Sequence, residues 1–181
     1  MNNNSKQIKK IAAAAICLAL CMVLPFLTGQ IPQFGAMLSP MHIPVLLAGF
    51  IAGPFLAAIV GFIAPLLRFA LFGMPPIMPT GVSMAFELAA YGLSAGILYN
   101  LLPKKKLAGY VSVYVALIAA MVIGRIVWGL TRLALFGLVG TPFTLEMFMA
   151  GAFINALPGI ILHIILIPIV VIALKKAKLI E

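Results

Sequence analysis

The sequence contains no aspartate, and carboxylate side chains are scarce throughout it. The acidic residues are Glu87, Glu146 and Glu181 among 181 residues. This scarcity excludes paired aspartates for acid and base catalysis, an aspartate nucleophile and an Asp-rich metal site. The phosphate-binding loop of ATP hydrolases and the signatures of membrane hydrolases are absent as well. We therefore predict that the chain is not an enzyme and has no catalytic residue, cofactor or metal of its own.

Charged residues of either sign are also few. They make up 8% of the chain, whereas hydrophobic residues make up 65%; soluble domains carry about a quarter charged residues. Such a chain belongs in a lipid bilayer, and its length leaves room for roughly six transmembrane helices of about 20 residues each. We predict an all-α integral membrane protein that forms a single domain over residues 1–181.

Proline, glycine and lysine divide the chain into six apolar runs. Residues 28–42 and 73–80 have the composition of loops, and Pro75, Pro76 and Pro79 argue against a helix in the second of them. The second apolar run is short for a membrane crossing. The predicted spans are 11–27, 43–52, 55–72, 81–102, 107–138 and 144–174.

The lysines indicate the orientation of these spans. All nine lie in three clusters, within residues 6–10, 104–106 and 175–178, and lysine is enriched on the cytoplasmic flanks of membrane helices. Six crossings place all three clusters on one side. We therefore predict cytoplasmic termini, with tails at 1–10 and 175–181 and a cytoplasmic loop at 103–106. The net charge of +9 then reports topology and not nucleic-acid binding.

Polar side chains inside the apolar runs point to a binding pocket. Ionisable groups within a membrane usually face the protein interior or a water-filled cavity, and residues three, four or seven apart share one face of a helix. Three spans each show one such face, formed by Ser83, Glu87, Tyr91 and Ser94, by Arg125, Trp128 and Arg132, and by Gly151, Asn155, Gly159 and His163. The predicted substrate-binding residues are Arg68, Glu87, Tyr91, Arg125, Trp128 and Asn155.

The arginines outnumber the carboxylates with which they could pair inside the membrane. Glu87 is expected to pair with Arg125 or Arg68, as part of a site or only to neutralise buried charge. One guanidinium is then left for a carboxylate or phosphate on a ligand, unless Arg132 reaches the outer lipid headgroups. His42 and His163 are expected at opposite depths, which argues against a metal site.

The first span has a surface of small residues. Ala15 and Ala19 have the small-xxx-small spacing that allows close helix contact, either inside the bundle or with another membrane protein. Cys17 and Cys21 share one helical face, are too far apart for an unstrained disulfide, and are expected to be packing residues.

Several local motifs resemble one family of membrane proteins. They are the segment Met37–Gly49, the following Gly53-Pro54, the stretch from Pro65 through Arg68 to Pro76, and Met84-Ala-Phe-Glu87. These motifs resemble the substrate-binding S components of energy-coupling factor (ECF) vitamin transporters, and the likeness extends over nearly the whole chain.

The resemblance implies a subunit of the bacterial plasma membrane that captures a vitamin at the outer face for ATP-driven uptake. Its implied partners are a transmembrane coupling protein, docked on Ala15 and Ala19, and two cytoplasmic ATPases that use the ATP. The loop at 28–42 would form a lid that includes Gln33, Phe34 and His42. The local pattern is most similar to pantothenate-type members.

Two alternatives are kept beside this interpretation. The chain could be an S component for another vitamin such as riboflavin, although Asn155 is followed by Pro158 where riboflavin-type members carry lysine. It could also be an autonomous channel or secondary carrier. A carrier is expected to show internal repeats with paired broken helices, and no convincing repeat is evident here.

Overall fold

The computed structural model of the protein describes residues 3–28, 35, 37–103, 109–177 and 180, and within these ranges all regular structure is helical. This confirms the predicted all-α class. The α-helices are α1 (Asn3–Val23), α2 (His42–Ile51), α3 (Pro54–Phe72), α4 (Val82–Leu101), α5 (Gly109–Val139), α6 (Leu145–Met149) and α7 (Leu157–Lys176). A 3-10 turn, Leu24–Thr28, extends α1, and π-helical turns occur at Ile77–Gly81 and Ala150–Ile154.

In the part of the chain that the structure describes, five helical stretches are long and apolar enough to cross a bilayer. They are Asn4–Leu27, Pro54–Phe72, Ile77–Leu101, Tyr110–Val139 and Leu145–Lys176. The predicted second span corresponds to α2, which has ten residues. At 1.5 Å per residue α2 is about 15 Å long, roughly half the thickness of the hydrocarbon core. The chain is therefore a multi-pass membrane protein, whose described residues form five full-length helical stretches and one short apolar helix.

The segment that links α3 to α4 differs from its prediction. Residues 73–80 were expected to contain no helix, but Ile77–Gly81 forms a π-helical turn, interrupted by the extended backbone of Met78. The prediction was wrong because proline lacks an N–H donor but still accepts hydrogen bonds. The Gly81 N–H donates to the carbonyl of Pro76 at 2.8 Å, and the Ser83 hydroxyl donates to the carbonyl of Pro79.

The last span is also not the single helix expected over 144–174. It begins as α6, continues through the π-helical turn Ala150–Ile154, and becomes α7 at Leu157. Pro158 lies in the first turn of α7, where the missing N–H costs no helical hydrogen bond. The π-helical turn adds a residue to one turn of helix, so side chains before and after it do not share the face that regular spacing predicts.

Helices α2, α3 and α4 pack against one another at backbone distance. A Cβ atom added to Gly61 of α3 would lie 2.4 Å from the carbonyl of Leu88, and one added to Gly92 of α4 would lie 2.6 Å from the carbonyl of Ala57. Gly49 of α2 likewise faces Gly92. Small residues allow this close approach in membranes. Helix α5 packs against α4, α7 contacts α5 and α2, and α1 packs against α2 and α3.

The end of the predicted outer loop enters the bundle. Ser39, Met41 and His42 are buried, and the Cys21 thiol of α1 donates to the carbonyl of Met41. On the opposite side, a Cβ on Gly159 of α7 would lie 2.6 Å from the carbonyl oxygen of Met37. Residues 37–41 are therefore held between α1 and α7. The predicted lid residues Gln33 and Phe34, and the lysines at 104–106, lie outside the described residues.

Candidate functional site

Four helices bring five polar or aromatic side chains together in the centre of the bundle. Arg125 of α5 donates a hydrogen bond from Nη1 to Glu87 Oε1 of α4 at 2.9 Å, and His42 Nε2 of α2 lies 3.5 Å from the same oxygen. Each of these side chains is less than one-tenth exposed. We call this group the Glu87 cluster: His42, Glu87, Tyr91, Arg125 and His163.

The aromatic rings complete the Glu87 cluster. The His42 ring stacks on that of His163 of α7 with a centroid distance of 5.9 Å and meets the Tyr91 ring edge-on at 5.3 Å. The Tyr91 side chain also interacts with both Glu87 and Arg125. A Cβ on Gly124 would lie 2.1 Å from the Tyr91 ring, so the glycine that precedes Arg125 leaves the space that this ring occupies.

Two expectations about these residues are now decided. His42 and His163 do not lie at opposite depths: that prediction was wrong, because residues 37–41 enter the bundle and α2 begins inside it. His42 accordingly belongs to the Glu87 cluster as the first residue of α2. Of the two arginines considered as partners of Glu87, the structure pairs it with Arg125.

Some buried polar atoms of the Glu87 cluster have no hydrogen-bond partner within the described residues. They are His42 Nδ1, Arg125 Nε and His163 Nε2. Buried polar groups in folded proteins are nearly always hydrogen-bonded, so these atoms are candidates for contact with a bound molecule. In the described part of the chain, no three His, Cys, Asp or Glu residues are arranged to hold a metal ion.

A second polar group lies further along α5. Arg132 donates from Nε to Ser83 Oγ at 3.2 Å and from Nη2 to Thr80 Oγ1 at 3.3 Å, and its guanidinium lies 5.2 Å from the centroid of the Trp128 ring. We call Thr80, Ser83, Trp128 and Arg132 the Arg132 cluster. Within the described residues no carboxylate forms a salt bridge with Arg132, which is half-buried. Its guanidinium donates to neutral hydroxyl groups and lies against an aromatic ring.

Aromatic side chains and glycines shape the surroundings of the Arg132 cluster. The Trp128 ring packs against Gly151, where a Cβ would lie 2.6 Å from the ring, and Phe148 fills the equivalent space over Gly129. Phe143 meets the Trp128 ring nearly edge-on. Aromatic walls beside a guanidinium suit a small ligand that is both polar and apolar.

Two predicted substrate-binding residues lie apart from both clusters. Arg68 donates from Nη1 to the carbonyl of Met22, and its guanidinium lies about 5 Å from the ring centroids of Phe26 and Phe72, so it ties α3 to α1. Asn155 follows the π-helical turn directly and is exposed. The structure thus brings Glu87, Tyr91 and Arg125 together and places Trp128 in the Arg132 cluster.

The predicted docking residues lie on the surface of α1. Ala15 and Ala19 are exposed, whereas Ala14, Cys17 and Cys21 are buried. Both cysteines are free, which agrees with their expected role in packing. Of the two faces of α1, the one with Ala15 and Ala19 is available to a partner.

The predicted binding residues did not include Arg132 and His163. Both were on the polar faces recognised from spacing, since Arg132 follows Trp128 by four residues and Arg125 by seven. The signal for Arg132 was the excess of arginine over carboxylate, but the sequence alone does not show which arginine Glu87 neutralises. His163 was not predicted because it lies far from His42 in the chain, and no local pattern indicates that the two residues are in contact.

A family model described as "ECF transporter, substrate-specific component" matches residues 9–171. No curated protein and no solved structure matches the chain.

Proposed function

Because the chain belongs to the family of ECF transporter substrate-specific components, we propose that it is the subunit of an ATP-driven importer that captures a small anionic vitamin at the outer face of the membrane. The observation that carries this proposal is the family match, which extends over residues 9–171. Arg132 has no salt-bridge partner among the described residues and lies beside an aromatic wall, which supports the anionic character of the ligand.

The proposed orientation has six crossings, with α2 as a short second crossing and both termini in the cytoplasm. Its support is the lysine distribution, since all three clusters then lie inside. Single cysteines introduced at Thr141 and Lys176 test it. Labelling by a membrane-impermeant maleimide in intact cells should modify the first and not the second, and buried Cys17 and Cys21 should give a low background.

The proposed ligand site is the Arg132 cluster together with the adjoining Glu87 cluster. The Arg132 guanidinium would bind the ligand's anionic group in a bidentate manner, replacing its bonds to Thr80 and Ser83. Trp128 would cover the ligand. A pantothenate-type ligand, with one carboxylate on an otherwise neutral molecule, suits a site in which Arg132 forms no salt bridge with any described residue.

The proposed partners are a transmembrane coupling protein and two cytoplasmic ATPases, which would supply the energy that this chain has no means to provide. The exposed face of α1 with Ala15 and Ala19 would dock on the coupling protein, because small residues allow two helices to approach closely.

Two measurements on an affinity-tagged chain, expressed with its genomic neighbours, test the function. The preparation should contain a membrane partner and ATPases, and mass spectrometry should find a bound small anion. Ala15→Trp should abolish uptake and leave ligand binding unchanged, whereas Ile16→Trp, at the adjacent exposed position, should retain uptake. Full uptake by proteoliposomes that contain only this chain would contradict the proposal and identify an autonomous carrier.

A further inference from the structure

Hydrogen bonds from two helices hold residues 37–41 in the bundle. The Ser39 carbonyl accepts one from the ring of His163 on α7, and the Met41 carbonyl accepts one from the Cys21 thiol of α1. Ser39 has a φ of 47°, in a region that residues other than glycine rarely adopt unless their surroundings hold them there. The position of this segment therefore depends on its contacts with α1 and α7 and not on its own backbone preference.

The surroundings of His163 suit a neutral imidazole. One ring nitrogen donates to Ser39, and the other, Nε2, has no hydrogen-bond partner among the described residues. A proton on Nε2 would create a second N–H without an acceptor, in a side chain that is 2% exposed. An unpaired buried donor is costly, and an unpaired buried charge is more so.

The titratable and charged groups around His163 would not compensate such a charge. Helix α7 packs against α5 and α2, from which Arg125 and His42 face the His163 ring. Arg125 would repel an imidazolium. On α4, Tyr91 meets the His42 ring edge-on, and Glu87 is bonded to Arg125 at 2.9 Å and lies 3.5 Å from His42. A proton on His163 would therefore add net positive charge to a cluster whose carboxylate is already paired.

We propose that His163 is an acid-sensitive latch: its neutral ring holds residues 37–41 in the bundle, and its protonation releases them. Once the segment leaves, His163 reaches water, where an imidazole takes up a proton at about pH 6.5. Because only the released state binds this proton, acid favours release. For one proton, the ratio of released to buried segment should rise about 30-fold between pH 7.5 and pH 5.

The two cysteines of α1 provide a probe and its matched control. Cys21 contacts the segment through Met41, and Cys17, one turn earlier, is buried in the core of the bundle. Cys17→Ala leaves Cys21 as the single thiol, and Cys21→Ala leaves Cys17. Each thiol is reacted with 4,4′-dithiodipyridine in the native chain and in the unfolded chain at each pH. The ratio of the two rates measures protection of the thiol and cancels the pH dependence of the reaction itself. We expect the protection of Cys21 to fall about 30-fold between pH 7.5 and pH 5, and that of Cys17 to fall less than about threefold.

Substitution of each histidine in the Cys17→Ala chain identifies the ring that titrates. His163→Asn keeps an N–H that can donate to Ser39 but does not titrate, so the protection of Cys21 should change less than about threefold with pH. His42→Asn removes the other imidazole and should retain most of the fall. The same substitutions in the Cys21→Ala chain show whether the variants are folded, since Cys17 should stay protected at pH 7.5.

The pH series on the chains that keep both histidines is decisive even if a histidine variant does not fold. Constant protection of Cys21 down to pH 5 would overturn the latch. An equal fall for Cys17 would also overturn it, because acid would then loosen the whole bundle. Loss of the pH dependence in His42→Asn but not in His163→Asn would contradict the assignment to His163. None of these measurements involves a bound ligand, so their failure would leave the proposed function to be judged by the co-purified partners and anion.

Discussion

The Glu87 cluster and the Arg132 cluster contain two arginines on the same face of α5, but in opposite electrostatic surroundings. Arg125 is buried and bonded to the carboxylate of Glu87, whereas Arg132 is half-buried and bonded to two hydroxyl groups. A buried ion pair is costly to break from one side, while an arginine with neutral partners can exchange them for a stronger anionic one. The first cluster therefore contributes mainly to the stability of the bundle, and the second mainly to ligand recognition.

The packing around the two clusters also differs: helices meet backbone to backbone near Glu87, whereas side chains surround Trp128. Glu87 lies on α4, which meets α2 and α3 at backbone distance through Gly49, Gly61 and Gly92. Trp128 of the Arg132 cluster is enclosed by side chains and by the irregular start of the last span. Where two helices are in contact through their backbones, no side chain can move to make room for a ligand. Aromatic rings that pack against glycine can reorient to do so. A ligand is thus expected to be accommodated on the α5 to α7 side.

The largest effect is expected when the ion pair is broken from one side. Glu87→Gln conserves the volume but leaves Arg125 buried without a counter-charge, which typically costs about 3–5 kcal/mol. Equilibrium unfolding in detergent micelles measures this loss. The double variant Glu87→Gln/Arg125→Met, which buries no net charge, should be more stable than Glu87→Gln alone. If the two single losses simply add in the double variant, the pair is not a stabilising unit.

A smaller loss of stability is expected from glycine substitution in the α3–α4 contact. In Gly61→Ala the new Cβ would lie 2.4 Å from the Leu88 backbone, and the two helices must separate. Overpacking of this kind costs about 1–3 kcal/mol. The matched control is Gly137→Ala in α5, where no atom lies within 4 Å of the added Cβ. Equal stability of the two variants would show that α3 and α4 are not held at backbone distance.

In the Arg132 cluster, a substitution should weaken ligand binding more than it lowers stability. Arg132→Gln should weaken binding of the co-purified ligand at least tenfold, which corresponds to about 1.4 kcal/mol. Its effect on the free energy of unfolding should be about 1 kcal/mol, well below that of Glu87→Gln, because hydrogen bonds to two neutral hydroxyl groups are lost and no buried charge is left unpaired. Calorimetry and unfolding on the same preparation measure both quantities. Arg68→Gln is the control: it removes the tie to Met22 and should lower stability without changing affinity.

Sequence patterns were sufficient for the helices and insufficient for the site. The apolar runs predict the long helices to within a few residues at most ends, because hydropathy and proline act locally. The contact between His42 and His163 depends on how deeply residues 37–41 enter the bundle, and no local pattern encodes that depth. The pairing of Glu87 with Arg125 over Arg68 depends likewise on the rotation of α3, which the glycine contacts with α4 determine.

The smallest effect is expected at Asn155, which spacing placed on one face with Gly151, Gly159 and His163. The extra residue of the π-helical turn breaks that regularity: the Asn155 N–H donates to the carbonyl of Ala150, five residues before it, at 2.9 Å. Asn155 is consequently exposed, while Gly151 still faces Trp128. Asn155→Ala should change ligand affinity by less than about twofold, within the range of neutral surface substitutions.

A tenfold loss of ligand affinity in Asn155→Ala would require a different explanation. It would mean that the π-helical turn becomes regular when the ligand binds, since loss of the extra residue would turn Asn155 back toward the face that spacing predicts. Hydrogen exchange at residues 150–156, with and without ligand, distinguishes the two cases. Unchanged protection would show that residues 150–156 keep their irregular conformation when the ligand binds. Increased protection would show that the start of the last span rearranges around the ligand and acts as a movable wall of the site.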